Sequence, residues 1–285
     1  MSWIIYIFLS IILFTTMQLL SRVLSVKSKN VRAFTVVFNL ISAGFALLIF
    51  LASGGIKNFH LPTNYFAYLF LFGGVIAYGL FERLRFKASK LVEASLLSLF
   101  SPISLVTAFI ISSLIYQENL TLTKIISLVL IFVAIVMVTY NKKVKNLTKE
   151  GIKVAVATSV IVGIAMSFDK AGASNFNSET YSIFLWLLPL IIIYFFPRVK
   201  TKDILDEAKL ANWKILVLSI SNVVAYYLML KAFALADATK VILISELTMI
   251  LTVIGGIIFL KERKNVWVKI LASLLAFAGV TLLVI

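Results

Sequence analysis

The chain has 285 residues, 61% of them hydrophobic and 14% charged, with a mean hydropathy of +1.06. A soluble domain is about one-quarter charged, and no soluble fold covers so much apolar surface, so the composition calls for lipid. The net charge of +15 does not imply a nucleic-acid partner, because the bases lie between apolar runs and form no stripe among polar neighbours.

A bilayer-crossing helix needs about 20 mostly apolar residues, and ten runs qualify. The first, 1–20, carries no charge, no basic region and no small-residue cleavage pattern, so it reads as a permanent span and not as a signal peptide. Then come 33–53, 61–81, 91–115 and 124–140. The polar connector NKKVKNLTKEG follows, and after it 153–172, 178–196, 214–234, 239–260 and 266–285. The predicted fold class is an all-α integral membrane protein of ten transmembrane helices. Between the seventh and eighth spans, Ile204, Leu205 and Ala208 fall on one face of a short predicted surface helix.

The connector divides the chain into 1–141 and 153–285, with 142–152 as a basic linker. A shift of 148 residues aligns Ala77-Tyr78 with Ala225-Tyr226, Arg83 with Lys231, and Arg22 with Lys170. After a short gap, the sequence around Glu118 aligns with that around Glu262. Five spans per half is an odd number, so a duplicated half enters the membrane inverted. Inverted repeats place substrate sites near the midplane between the halves.

Of the 27 basic residues, 22 flank the loops after spans 1, 3, 5, 7 and 9; the others are Lys57, Lys124, Lys170, Lys231 and Lys240. The richer side is cytoplasmic by the positive-inside rule, which puts both termini outside a plasma or inner membrane.

The second half runs from AYYLMLKAFALADATK through VILISELTMILTVIGGIIFLKERK to a last apolar span, and the first half repeats that order with Ser101-Pro102 and Glu118. This pattern resembles the EamA family of the drug/metabolite transporter superfamily over nearly the whole chain. The resemblance implies two five-helix repeats forming a basket around a central cavity, with access exchanged by rocking of the halves. It also implies export of amino acids or related small metabolites. Met249 stands where the family pattern often has proline.

Candidate site residues are polar groups at membrane depth. Glu246 sits inside the ninth span and reads either as a cation or proton site or as a structural acid paired with Lys240. Gln18, Asn39, Tyr78 and Trp186 each need a partner helix or a substrate. Ser219, Asn222 and Tyr226 recur at i, i+3 and i+7, giving one polar stripe on the eighth span. Lys170, on the base-poor side, reads as an anchor for an anionic group or as a snorkelled span end. Glu82, Arg83, Arg85 and Lys87 read as a solvated rim, Glu93 as an interfacial acid, and Glu118 and Glu262 as structural acids.

The single histidine, His60, lies in a connector and the chain has no cysteine, so neither disulfides nor a metal or other cofactor is expected. No phosphate-binding glycine loop occurs, which argues against ATP hydrolysis. The expected function is a secondary transporter and not an enzyme, with a small-molecule substrate and a proton or counter-solute as driving partner. The alternative is a non-transporting membrane subunit or a lipid-carrier flippase. Oligomeric state is not readable from the sequence.

Overall fold

The computed structural model describes residues 3–57, 59–116, 122–139, 147–176, 178–195, 198–233, 235–236 and 238–284, and their regular elements are helical. Glu118 lies outside the described residues, and the side chains of Lys170 and Lys240 lie outside them too. The first half contains α1 (Trp3–Lys27), α2 (Val31–Ala52), α3 (Tyr65–Leu91), α4 (Ala94–Leu97), α5 (Pro102–Tyr116) and α6 (Leu122–Thr139). The second contains α7 (Lys149–Asn175), α8 (Ser178–Leu187), α9 (Pro189–Phe195), α10 (Thr201–Ala211), α11 (Lys214–Phe233), α12 (Ala238–Ser245), α13 (Leu247–Ile258) and α14 (Val266–Val284).

Among the described residues, six segments are long and apolar enough to cross a bilayer: Trp3–Lys27, Val31–Ala52, Tyr65–Leu91, Ala94–Ile111, Leu122–Thr139 and Lys149–Asp169. Four shorter apolar helical segments follow, Thr180–Phe195, Lys214–Met229, Leu247–Ile258 and Val266–Leu282. Their outer faces carry bulky apolar side chains in the open, such as Phe8 and Ile12 on α1 and Val129 and Phe132 on α6. Patches of this kind are unfavourable in water and ordinary against lipid tails.

Three of the expected spans are broken, two of them at the prolines that the sequence places inside them. Before Pro102 the chain tightens into a 3₁₀ turn, Ser98–Phe100, because proline has no N–H and its ring crowds the carbonyl four residues back. The carbonyls of Ser95, Ser98 and Ser101 accept from the hydroxyls of Ser98, Ser101 and Ser104, and those of Ser98 and Ser101 also accept from the backbone N–H groups of Ser101 and Ser104. Pro189 separates α8 from α9 in the same way. Between α12 and α13 the break falls at Glu246 without a proline; there the Ser245 hydroxyl donates to the Ile242 carbonyl at 2.7 Å. Ser98 and Glu246 are 148 residues apart, so the first and third breaks occupy corresponding places in the two halves.

Packing between the halves is reciprocal. α1 lies along α11, and α3 along α7; α5 packs on α7, and α13 on α1. Likewise α2 meets α11, while α3 meets α8 and α9. α6 and α14 pair with each other, where the buried Ser127 hydroxyl donates to the Gly279 carbonyl. Exchanging the halves turns each of these pairings into another member of the set.

The α5–α7 crossing depends on Gly163. A Cβ added there would lie 2.5 Å from the Ser104 carbonyl oxygen and 2.6 Å from the Thr107 Cβ. Gly163→Ala is therefore expected to push the helices apart and to lower stability by about 1–3 kcal/mol. Thermal denaturation of the detergent-solubilised protein measures this, and an unchanged melting temperature would contradict the close approach.

The short surface helix forms as α10, but its docking differs from the sequence expectation. Ile204 and Ala208 pack toward α1 and α2, whereas Leu205 is exposed. Glu207 is buried instead, accepting from the backbone N–H groups of Lys29 and Asn30 at 2.8 and 2.6 Å. Periodicity identified the helix, but a carboxylate aimed at the unpaired amides at the start of α2 set its rotation.

Candidate functional site

A cavity of about 610 Å³ lies between the halves and is lined from α1, α2, α3, α4, α5, α7, α8, α9, α11, α12 and α13. Among the described residues, α6 and α14, which pair with each other, contribute none to its wall. Gln18, Asn39, Tyr78, Trp186, Asn222, Tyr226 and Glu246 all reach this one space. Ser219 does not; it is fully buried against α2, with its hydroxyl donating to the Phe38 carbonyl at 3.3 Å. The polar stripe of the eighth span is therefore split, with Asn222 and Tyr226 facing the cavity and Ser219 holding a helix contact.

Glu246 stands at the α12–α13 break, so its carboxylate projects from the point where regular helical hydrogen bonding is interrupted. It lies deep inside the protein, yet its side chain stays partly accessible because the cavity opens beside it. Among the described residues its carboxylate has no hydrogen-bond or ion-pair partner.

Asp169 is a cavity residue that the candidates read from the sequence did not include. The hydroxyls of Tyr78 and Tyr181 donate to its two carboxylate oxygens at 2.6 and 3.0 Å. Tyr226 lies within electrostatic reach of the same carboxylate, and the Trp186 ring stands edge-to-face against Tyr226 at 6.2 Å. The partners come from α3, α8 and α11, at sequence separations that no local pattern links. An acid inside a span was the available signal.

The expected rim of Glu82 and Arg85 is also part of the wall. Glu82 is buried and ion-paired with Arg85 at 2.6 Å, and it accepts from the Asn39 amide at 3.3 Å. The Arg85 guanidinium lies over Phe38 and Phe86, at 4.9 and 5.1 Å from the ring centroids. On α3 these residues are three positions apart and therefore share a face. Hydropathy alone assigned that face to solvent, because it sees charge and not direction. Lys87 does stay exposed, bonded to Glu150 at 2.8 Å.

Next to the cavity, polar contacts join the two halves. Glu262 accepts from the Ala94 and Ser95 N–H groups, both at 2.8 Å, and from the Ser95 hydroxyl. These are the unpaired amides at the start of α4. Gly256 permits the approach, since a Cβ there would fall 2.7 Å from the Glu262 carboxylate. Lys269, fully buried, pairs with Glu93 at 2.6 Å and also donates to the Glu262 carbonyl at 2.9 Å. Arg22 donates to the carbonyls of Ser89 and Lys90 at 2.8 and 2.6 Å, closing the end of α3. Among the described residues, no group of three or more His, Cys, Asp or Glu side chains is placed to hold a metal.

The model described as the EamA-like transporter family matches residues 1–140 and again 149–285. The chain belongs to the EamA-like transporter family. None of the curated proteins matches it. As an EamA protein it is a multi-pass integral membrane protein of the drug/metabolite transporter superfamily. Its doubled match agrees with the reciprocal packing of the two halves. In this EamA chain the cavity is built from both matched segments, with Asp169 and Glu246 from the second facing Tyr78 and Gln18 from the first.

Proposed function

We propose that the protein is a secondary transporter that exports small polar metabolites, amino acids or related solutes, by alternating access. The reading rests on the 610 Å³ cavity at the interface of the halves, walled by helices broken at corresponding places. Broken helices at a repeat interface free backbone and side-chain groups for a solute at membrane depth. Ten spans arise if the four shorter apolar segments cross together with the six long ones. The reciprocal packing then corresponds to two inverted five-helix repeats. The Glu262 and Lys269 contacts join the halves, and in this reading they part when the halves rock. A proton or a counter-solute drives the cycle, and Glu246 is the residue we assign to meet it.

Reconstitution into vesicles tests this reading. Uptake across a broad panel of metabolites, with and without a pH gradient, is expected to reveal at least one transported solute and a dependence on the gradient. Failure across the whole panel would overturn it.

Both termini are assigned to the outside of the plasma or inner membrane. The chain contains no cysteine, so single cysteines can be introduced without background. Thr63→Cys, in the exposed α2–α3 connector, is expected to react with an impermeant maleimide on intact cells. Lys202→Cys, on exposed α10, is expected to react only after permeabilisation. The reverse pattern would invert the topology.

A further inference from the structure

Resting on that transporter reading, we propose that the cavity selects organic amines, with a protonated amino group anchored at Asp169 and an apolar body among Tyr78, Tyr181, Trp186 and Tyr226. The charge arrangement points this way. Arg85 and Arg22 are the cationic side chains of the described cavity wall. Arg85 is neutralised by Glu82, and Arg22 is bonded to two carbonyls within the field of Glu262 and Glu93. The Asp169 carboxylate, by contrast, is met among the described side chains by two neutral hydroxyls. Each carboxylate oxygen has more than one acceptor direction, so both retain capacity for an ammonium N–H.

A carboxylate away from bulk water gains most from an opposite charge, and two hydroxyl donors supply none. The surrounding rings add to the same preference. Aromatic faces carry negative potential and attract cations, with a contribution of about 0.5–2 kcal/mol depending on desolvation. Tyr226 and Trp186, edge-to-face at 6.2 Å, line the same cavity as the acid. An anionic solute in the same place would face repulsion from Asp169. A neutral one could donate a hydrogen bond to Asp169 but would bring no opposite charge. The 610 Å³ volume admits a ring or an alkyl body beyond the amino group. Glu246, a second acid on the same wall, adds to the negative field without being the anchor.

The test uses the full-length protein in vesicles and two matched probe triplets that differ only in charge. These are tyramine, tyrosol and 4-hydroxyphenylacetate, and butylamine, butanol and butyrate. Each probe is scored by thermal stabilisation of the purified protein and by competition with a transported solute. The amine of at least one triplet is expected to act at about one-tenth the concentration of its neutral partner or lower, and the anion to be weakest. Asp169→Asn is expected to abolish the amine-over-neutral preference. Should that variant fail to fold, the ordering with wild-type protein still decides. Lack of an amine preference in both triplets, or a preference for the anion, overturns the inference. If neutral or anionic metabolites are nevertheless carried, the transporter reading stands without it; if nothing crosses from the broad panel, that reading falls first.

Discussion

Lys269→Met is expected to cost about 3–5 kcal/mol of stability, the loss typical when one partner of a buried ion pair is removed. Lys269 is almost wholly enclosed, and Glu93, at 2.6 Å, is about one-tenth exposed. The methionine fills most of the volume, so the loss comes from breaking the ion pair with Glu93 and not from a cavity. It follows that Lys269→Met combined with Glu93→Leu is expected to recover much of the stability, since apolar pairs of similar volume often replace buried ion pairs without loss. Melting of the three variants in detergent checks this. A double variant as unstable as the single one would mean that the donation from Lys269 to the Glu262 carbonyl, and not the ion pair, dominates.

Replacing Glu246 by glutamine is expected to act on transport and spare the fold. The side chain keeps its shape, and its carboxylate has no described partner to lose. A contact to a charged group is worth about 1.5–3 kcal/mol, so uptake driven by a pH gradient is expected to fall about tenfold or more. The melting temperature should stay within a degree or so of wild type, as is usual when no buried partner is disturbed. Transport with an unaltered gradient dependence would reduce Glu246 to a structural acid. Glu262→Gln offers a contrast, because Glu262 accepts three hydrogen bonds at the start of α4 and its replacement is expected to lower stability as well.

The two acids of the ninth span show how far local reading reaches. Glu246 and Glu262 were distinguishable in the sequence, one inside an apolar run and the other at its end. That Glu246 sits at a helix break was not legible, since no proline marks it. Asp169 was visible only as a charge near the end of the sixth span, beside Lys170. Choosing between adjacent residues needs the rotation of the helix, and Tyr78, 91 positions away, is what identifies Asp169 as the inward one. Ser219 fits the same stripe as Asn222 and Tyr226, yet a backbone carbonyl of α2 claims it.

The sequence by itself determined that this chain lives in a membrane, that it is helical and doubled, and which polar residues lie at depth. These are local properties: run length, composition and spacing fix them without reference to any neighbour. Tertiary structure decided which of those residues meet. In water an amphipathic pattern points a helix face toward the core, but in lipid both faces are apolar and that signal fades. Rotation is then set by close approaches such as Gly163 against Ser104, and by buried acids such as Glu207 and Glu262 reaching unpaired amides. Such contacts join residues far apart in the chain, so only the assembled fold could place Asp169 and Glu246 on one cavity wall.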